Sequence, residues 1–278
     1  MGWRHPPPLR AGIALHGAHL GEFLECPAPV GFVEAPCCEC SDEVGAPPQS
    51  LVRLRDVVPV SLGDARFAIA ASARLDERRL AAVARLVDRI EPVGLCDSLG
   101  DATPVPCTEA TLAHVVPRLH AIQERIGRRV LVANPPSCRP PGEGDISEPE
   151  FLAEMARRSG CGLLLDLAGL HAGACRFGFD PVDWLDALPA GLVAQVRLAG
   201  HDPAPRGTVT PARAPAVATR DRPVGAAVWG LFRHALARFG TLPAVLEWTD
   251  RVPALDVLVL EAARADRVAA EARRAWLA

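Results

Sequence analysis

Lysine and tyrosine are missing from all 278 residues, so every one of the 30 basic side chains is an arginine. Each absence excludes chemistry. Without lysine there is no Schiff-base amine, no pyridoxal phosphate anchor and no P-loop lysine, and without tyrosine there is no phenolic acid or base. Carboxylate, imidazole, thiol, hydroxyl and metal mechanisms remain. An excess of positive charge is missing too: 30 basic residues against 33 acidic ones give a formal net charge of -3. No basic field exists to hold a phosphate backbone, so nucleic acid is not an expected partner. No apolar run has the length of a membrane span. The run that follows Arg4 is broken by His16 and His19 and is too short for a signal peptide. Nine cysteines, an odd number in a long chain without an export signal, fit reduced thiols in a cytoplasmic setting.

What is present is a 49% hydrophobic share, ample for a core, distributed as short apolar runs that alternate with longer segments of helical period. That alternation predicts βα units around a parallel sheet. The candidate strands are Gly31–Ala35, Val57–Leu62, Pro92–Leu95, Val130–Ala133, Gly162–Asp166, Val193–Leu198 and Ala244–Trp248. These make seven of the eight that a TIM-type (β/α)8 barrel needs, and such a barrel over residues 1–278 as one domain is the expected fold. The eighth strand is expected in the proline-rich stretch between His201 and Arg222. Between the strands, Leu80, Val83, Ala84, Val87 and Ile90 stripe one helix, and Leu112, Val115, Val116, Leu119, Ile122 and Ile126 another, with Pro117 as an expected kink. Ser147 with Glu150 is a capping box for a helix ended by Gly160, and Asp180 before Pro181 opens the next. Val224, Val228, Leu231, Phe232 and Ala235 stripe a helix stopped by Gly240.

An α/β barrel carries its chemistry at the C-terminal ends of its strands. Those ends hold Cys37 and Cys38, Asp64, Cys96 and Asp97, Asn134, Asp166, His201, and Glu247 with Asp250. Carboxylate, imidazole and thiolate groups meeting at one mouth are a donor set for a catalytic metal. The same residue types also finish strands and cap helices, and no pair among them has a diagnostic ligand spacing. Cys37, Cys38 and Cys40, with Cys26, offer four sulfurs for zinc, yet adjacent cysteines fit one tetrahedral centre poorly and a second paired motif is missing. A cysteine nucleophile would need an imidazole, for which His201 is the strand-end candidate, while His114 and His120 are expected on outer helix faces.

Several motifs stand in one order: Ser147-Glu148-Pro149-Glu150-Phe151-Leu152, Gly160-Cys161-Gly162-Leu163-Leu164-Leu165-Asp166, Gly178-Phe179-Asp180-Pro181, Leu198-Ala199-Gly200-His201 and Leu246-Glu247-Trp248. From about Gly12 to Ala263 this order resembles the multinuclear non-heme iron-dependent oxidases typified by the catalytic subunit of methanobactin biosynthesis. The resemblance implies a barrel with two or three irons at its mouth, using oxygen to rework cysteines of a ribosomal precursor peptide that a partner protein commonly presents.

Measured against that resemblance, the chain departs at most iron-ligand positions. Gly63-Asp64 stands for a His-Gly pair, the stretch Leu95-Cys96-Asp97-Ser98-Leu99 lacks the histidine of a Ser-acid-His-Leu motif, and Ala133 replaces the glutamate before Asn134 and Pro135. Ala168 and Gly169 replace two asparagines, and Phe177 a histidine. Gln195 and Arg197 replace a Glu and a His, and Ala218 and Arg220 an Asp and a His. Asp166, His201 and Glu247 are the surviving metal-capable residues. No cofactor is therefore expected, and Arg197 or Arg220 is expected to point into the mouth and pair with a surviving acid. The leading expectation is a non-catalytic relative that binds a precursor peptide or maturation partner, with Cys37, Asp64, Cys96, Asp97, Asn134, Arg197 and Arg220 as binding residues. The alternative is an active oxidase or hydrolase using Asp166, His201 and Glu247 as catalytic groups in a reduced mononuclear site.

Overall fold

A computed structural model describes residues 10–37, 49–100, 105–135, 146–201 and 219–277. Cys38 and Cys40, Ala218, and the proline-rich stretch from 202 to 218 lie outside the described residues.

The strands β1 (Gly12–Ala14), β2 (Val33–Pro36), β3 (Val60–Gly63), β4 (Gly94–Ser98), β5 (Leu131–Ala133), β6 (Gly162–Asp166), β7 (Val193–Leu198) and β8 (Ala244–Leu246) close a parallel barrel in sequence order. The helices between them are α1 (Gly17–Glu25), α2 (Gln49–Val57), α3 (Glu77–Ile90), α4 (Glu109–Ile126), α5 (Glu148–Ser159), α6 (Leu167–Phe177), α7 (Pro181–Asp186), α8 (Ala226–Phe239) and α9 (Leu255–Leu277). Among the described residues no helix is long and apolar enough to cross a membrane.

One expectation is corrected. The eighth strand of the ring is β1, near the N-terminus; the stretch after His201 where it was expected lies outside the described residues, and β7 pairs directly with β8 through Val196, Arg197 and Leu198. β1 closes the ring by pairing Ile13 with both Val33 and Leu246. It escapes a periodicity reading because it is three residues long and one of them is Gly12. A side chain there would meet the Phe32 ring at 2.7 Å.

The local signals explain the helices. Asp76 accepts hydrogen bonds from the Arg78 and Arg79 amides to start α3, Ser147 accepts from the Glu150 amide to start α5, and Asp180 accepts from the Val182 amide to start α7. Gly160 ends α5 at φ +73, a left-handed conformation that glycine adopts without steric cost. The predicted stripes of α3 and α4 are buried, apart from the half-buried Val116, and α4 continues through Pro117.

Period-two alternation divides the strand side chains between two environments. Ile13, Val33, Leu62, Leu95, Val132, Leu163, Leu165, Val196 and Leu246 join the core between sheet and helices. Cys96, Leu131, Ala133 and Leu164 form a small separate cluster inside the ring. Buried polar groups, including Glu34, Ser61, Asp166 and Gln195, occupy neighbouring inward positions.

Candidate functional site

At the C-terminal face of the barrel a cavity of about 480 Å³ is lined by residues from the ends of the strands and the loops that follow. Of the residues anticipated from sequence, it gathers Asp64, Cys96, Asp97, Asn134, Asp166, Arg197, Arg220 and Glu247. Cys37 and His201 are not among the lining residues. Cys37 follows the inward-facing Glu34 at an odd interval, so its side chain lies in the sheet–helix core, fully buried. His201 lies just past β7, where Gly200 passes so close to the Arg222 carbonyl that a Cβ would sit 2.0 Å from its oxygen. Its imidazole turns to α6, where Nε2 lies 2.8 Å from His171 Nδ1. The anticipated trio of Asp166, His201 and Glu247 is therefore not assembled.

The centre of the mouth is an alternating chain of charges. Arg197 Nη2 donates to Glu34 Oε1 at 2.8 Å, and Arg197 Nε lies 3.5 Å from Glu247 Oε2. Arg220 Nε lies 3.0 Å from the same Glu247 oxygen, and Arg220 Nη2 donates to Asp166 Oδ2 at 2.6 Å. The contacts to Glu247 are close charge pairs rather than well-directed hydrogen bonds. Glu34, Arg197, Glu247, Arg220 and Asp166 thus form one network of three carboxylates and two guanidinium groups.

Backbone geometry aims these groups. Arg220 has φ +49, a left-handed conformation that costs a non-glycine residue about 1–3 kcal/mol. Its carbonyl accepts from the Thr249 amide at 2.9 Å, which ties the conformation to the β8 end of the mouth. Asp166 caps α6 by accepting from the Gly169 amide at 2.9 Å, and Asn134 holds the strand end by accepting from the Asp166 amide at 2.7 Å. Gly63 leaves the space that Glu34 uses: a Cβ at position 63 would lie 2.9 Å from Glu34 Oε1.

The electrostatics follow from this packing. Burial alone would raise the Asp166 pKa, but Arg220, the Gly169 amide and Arg197 together hold it below the ordinary carboxylate value. Burial likewise opposes the charge on Arg197, and Glu247 and Glu34 more than offset it, so its pKa rises. Arg220 rises for the same reason, with Asp166 and then Glu247 outweighing its burial. Cys96, beneath the network, is pushed well above the ordinary thiol value by burial and then by Glu34. It is a protonated core thiol, not a nucleophile.

Asp97 has a different task from the one its position suggested. It alternates with the inward-facing Cys96, and its carboxylate accepts from the amides of Arg66 at 3.1 Å, Phe67 at 2.8 Å and Ser98 at 3.0 Å. These bonds secure the loop after β3, in which Asp64, Arg66 and Ala68 all have positive φ. Asp64 pairs with Arg66 at the exposed rim, at 3.0 Å. Sequence reasoning missed Glu34, although an acidic residue between Val33 and Ala35 in a buried strand is itself a signal that a cation must be near.

The donor set does not fit the iron that the resemblance implies. Asp166, Glu247 and Glu34 are each engaged by a guanidinium group, and His201, the anticipated imidazole, is not among the residues that line the cavity. Among the described residues no three His, Cys, Asp or Glu side chains are placed to share one metal ion. The carboxylates a metal would need are already paired with two permanently charged guanidinium groups.

Comparisons with known proteins bear on this architecture. A family model described as "RiPP precursor modification enzyme MbnB/TglH/ChrH" matches residues 10–270. A UPF0276 protein of Anaeromyxobacter sp. (strain Fw109-5) is 38% identical, covering 95% of this chain and 94% of its own. One from Acaryochloris marina is 32% identical, covering 92% and 93%. Among solved structures, an L-ribulose 3-epimerase superposes with a TM-score of 0.60 at 14% identity, covering 96% of both chains. Endonuclease IV from Thermus thermophilus reaches 0.57 at 19% identity, covering 96% of this chain and 98% of its own. At such identities these two likenesses speak for the barrel fold alone.

Proposed function

The chain belongs to the MbnB/TglH/ChrH family of RiPP precursor modification enzymes, and on that premise we propose that it is a non-catalytic member whose barrel mouth binds a precursor peptide or a maturation partner. The observation that carries this reading is the network from Glu34 through Arg197, Glu247 and Arg220 to Asp166. Buried carboxylates need a counter-charge, because desolvation of an unpaired ion is costly. A metal ion is one way to supply it. A guanidinium group is another, and it stays protonated at any physiological pH and has no redox chemistry. In this reading Arg197 and Arg220 do the electrostatic work of the family's iron and leave its oxidative work undone.

Three carboxylates against two guanidinium groups leave the network one negative charge in excess. A cavity of about 480 Å³ at such a centre suits an amine or guanidinium group on an incoming peptide.

The test is to express any short cysteine-bearing peptide and any maturation protein found encoded next to this gene and to incubate them with the protein, ferrous iron and oxygen, followed by gel filtration and mass spectrometry. Co-elution with a peptide of unchanged mass is expected. An oxygen-dependent change of mass would assign catalysis, and failure of the peptide or a neighbouring maturation protein to co-elute would remove the binding role.

A further inference from the structure

Among the described residues, three of the six non-glycine positions with positive φ fall within five residues of one loop, between β3 and α3. They are Asp64 at +52, Arg66 at +55 and Ala68 at +52. All three are exposed, and they alternate with Ala65, Phe67 and Ile69, which are buried. A left-handed backbone crowds the Cβ of an L-residue against the following carbonyl, and alanine has no polar side chain to compensate. No glycine stands between Asp64 and Asp76. The conformation is therefore imposed from outside the loop.

Three neighbouring elements impose it. From β4, Asp97 accepts from the Arg66 and Phe67 amides. From α3, Arg79 Nε donates to the Ala65 carbonyl at 2.9 Å. From α4, Arg118 donates to three loop carbonyls at once: Nε to Ile69 at 2.8 Å, Nη2 to Ala68 at 2.9 Å and Nη1 to Ala73 at 2.8 Å. One turn earlier on the same helix face, His114 Nε2 lies 2.9 Å from the Ala71 carbonyl oxygen. The planar guanidinium fork fixes the relative positions of its three acceptors, which a single-point donor could not do. The end of the loop nearest β3 reaches the mouth, where Gly63 and Asp64 line the cavity above Cys96.

We propose that residues 64–73 form a strap along one side of the mouth, strained in its closed position, latched there by Arg118 and Asp97, and poised to open. Strained backbone persists only where its surroundings over-determine it. Once the latch is broken, Asp64, Arg66 and Ala68 return to negative φ, so opening relieves the strain that closing imposes. Asp64 then leaves the cavity, and Cys96 on its floor comes within reach of solutes. Arg118 is a positioning residue in this device, acting on the mouth through the loop carbonyls. The strap is independent of what the mouth binds, and the peptide-binding reading can fail without it.

The test is a double-mutant cycle on the full chain with Ala68→Gly and Arg118→Met. Glycine takes up positive φ without steric cost, and the exposed Ala68 has little packing to lose. Ala68→Gly should therefore raise the melting temperature of the native protein by about 2–4 °C, although the same substitution in unstrained backbone lowers it. In the Arg118→Met background, where the strap is released, Ala68→Gly should give no rise. Opening is read separately by alkylation of Cys96 with iodoacetamide, followed by mass spectrometry, with the buried Cys161 as a reference thiol in the same molecule. Arg118→Met should speed Cys96 alkylation at least about tenfold, the effect of losing a charged hydrogen bond on a local opening equilibrium. An unchanged Cys161 rate separates strap opening from unfolding, and Ala68→Gly alone should slow Cys96. A lowered melting temperature on Ala68→Gly in the native background, an equal rise in both backgrounds, or an unchanged Cys96 rate in Arg118→Met would overturn the proposal.

Discussion

Arg197→Leu removes the guanidinium that separates Glu34 from Glu247. In the native mouth it lies 2.8 Å from Glu34 and 3.5 Å from Glu247, with side-chain exposures of 13% for Arg197, 7% for Glu34 and 17% for Glu247. At an effective dielectric of about 20, each contact is worth roughly 4–6 kcal/mol of attraction before desolvation is subtracted. The measurable loss is smaller than the two attractions together, because much of that attraction offsets the burial of the ions. Removing one member of a buried pair typically costs about 3–5 kcal/mol, chiefly through the charge left uncompensated. For a chain of this size each kcal/mol moves the midpoint by about 2–4 °C, so Arg197→Leu should melt roughly 10 °C below the native protein at pH 7. Adding Glu34→Gln to the variant should recover part of the loss by removing the stranded charge. Circular dichroism melts of the single and double variants at pH 7 give both quantities. A deficit under about 1 kcal/mol, or one that Glu34→Gln does not reduce, would refute the view that this network is a mutually dependent set of buried charges.

Three further outcomes follow from the same geometry. Asn134→Ala should destabilise by about 1–3 kcal/mol, read by thermal melting, because it orphans the buried Asp166 amide that the carboxamide accepts at 2.7 Å. Asp97→Ala should speed hydrogen exchange at Arg66 and Phe67, whose amides lose their acceptor, without altering exchange in α4. Burial lifts the Asp97 pKa to about 6, so the folded state binds more protons than the unfolded chain between about pH 4 and 6. The Asp97 contribution to stability is therefore greatest below that window and is lost as pH rises through it, and Asp97→Asn should flatten the corresponding slope in denaturant titrations.

The barrel and most of its mouth were legible in the sequence because both rest on local signals. Apolar alternation marked seven strands, caps such as Ser147 and Asp180 marked helix starts, and strand ends marked the mouth. That Arg197 or Arg220 would pair with an acid was legible from the family resemblance, because both stand where the resemblance implies metal ligands; in the structure both do so. What was not legible depends on contacts distant in sequence. β1 is a strand because Ile13 bridges Val33 and Leu246, which its own three residues do not announce. His201 lies by His171, thirty residues away in sequence, a contact that no local pattern announces. Cys37 could have been separated from the mouth by strand parity, since it is offset by an odd number of residues from the inward-facing Glu34. Glu34 was passed over because it lies within a strand rather than at its end.

The central claim is that Arg197 and Arg220 stand where the family resemblance leads one to expect iron. Its most direct test is metal analysis of the protein purified without oxygen and reconstituted with excess ferrous iron, with Glu247→Gln as the control. The account predicts well under one iron per chain, unchanged in the variant. Near-stoichiometric iron in the native protein, lost in Glu247→Gln, would contradict it.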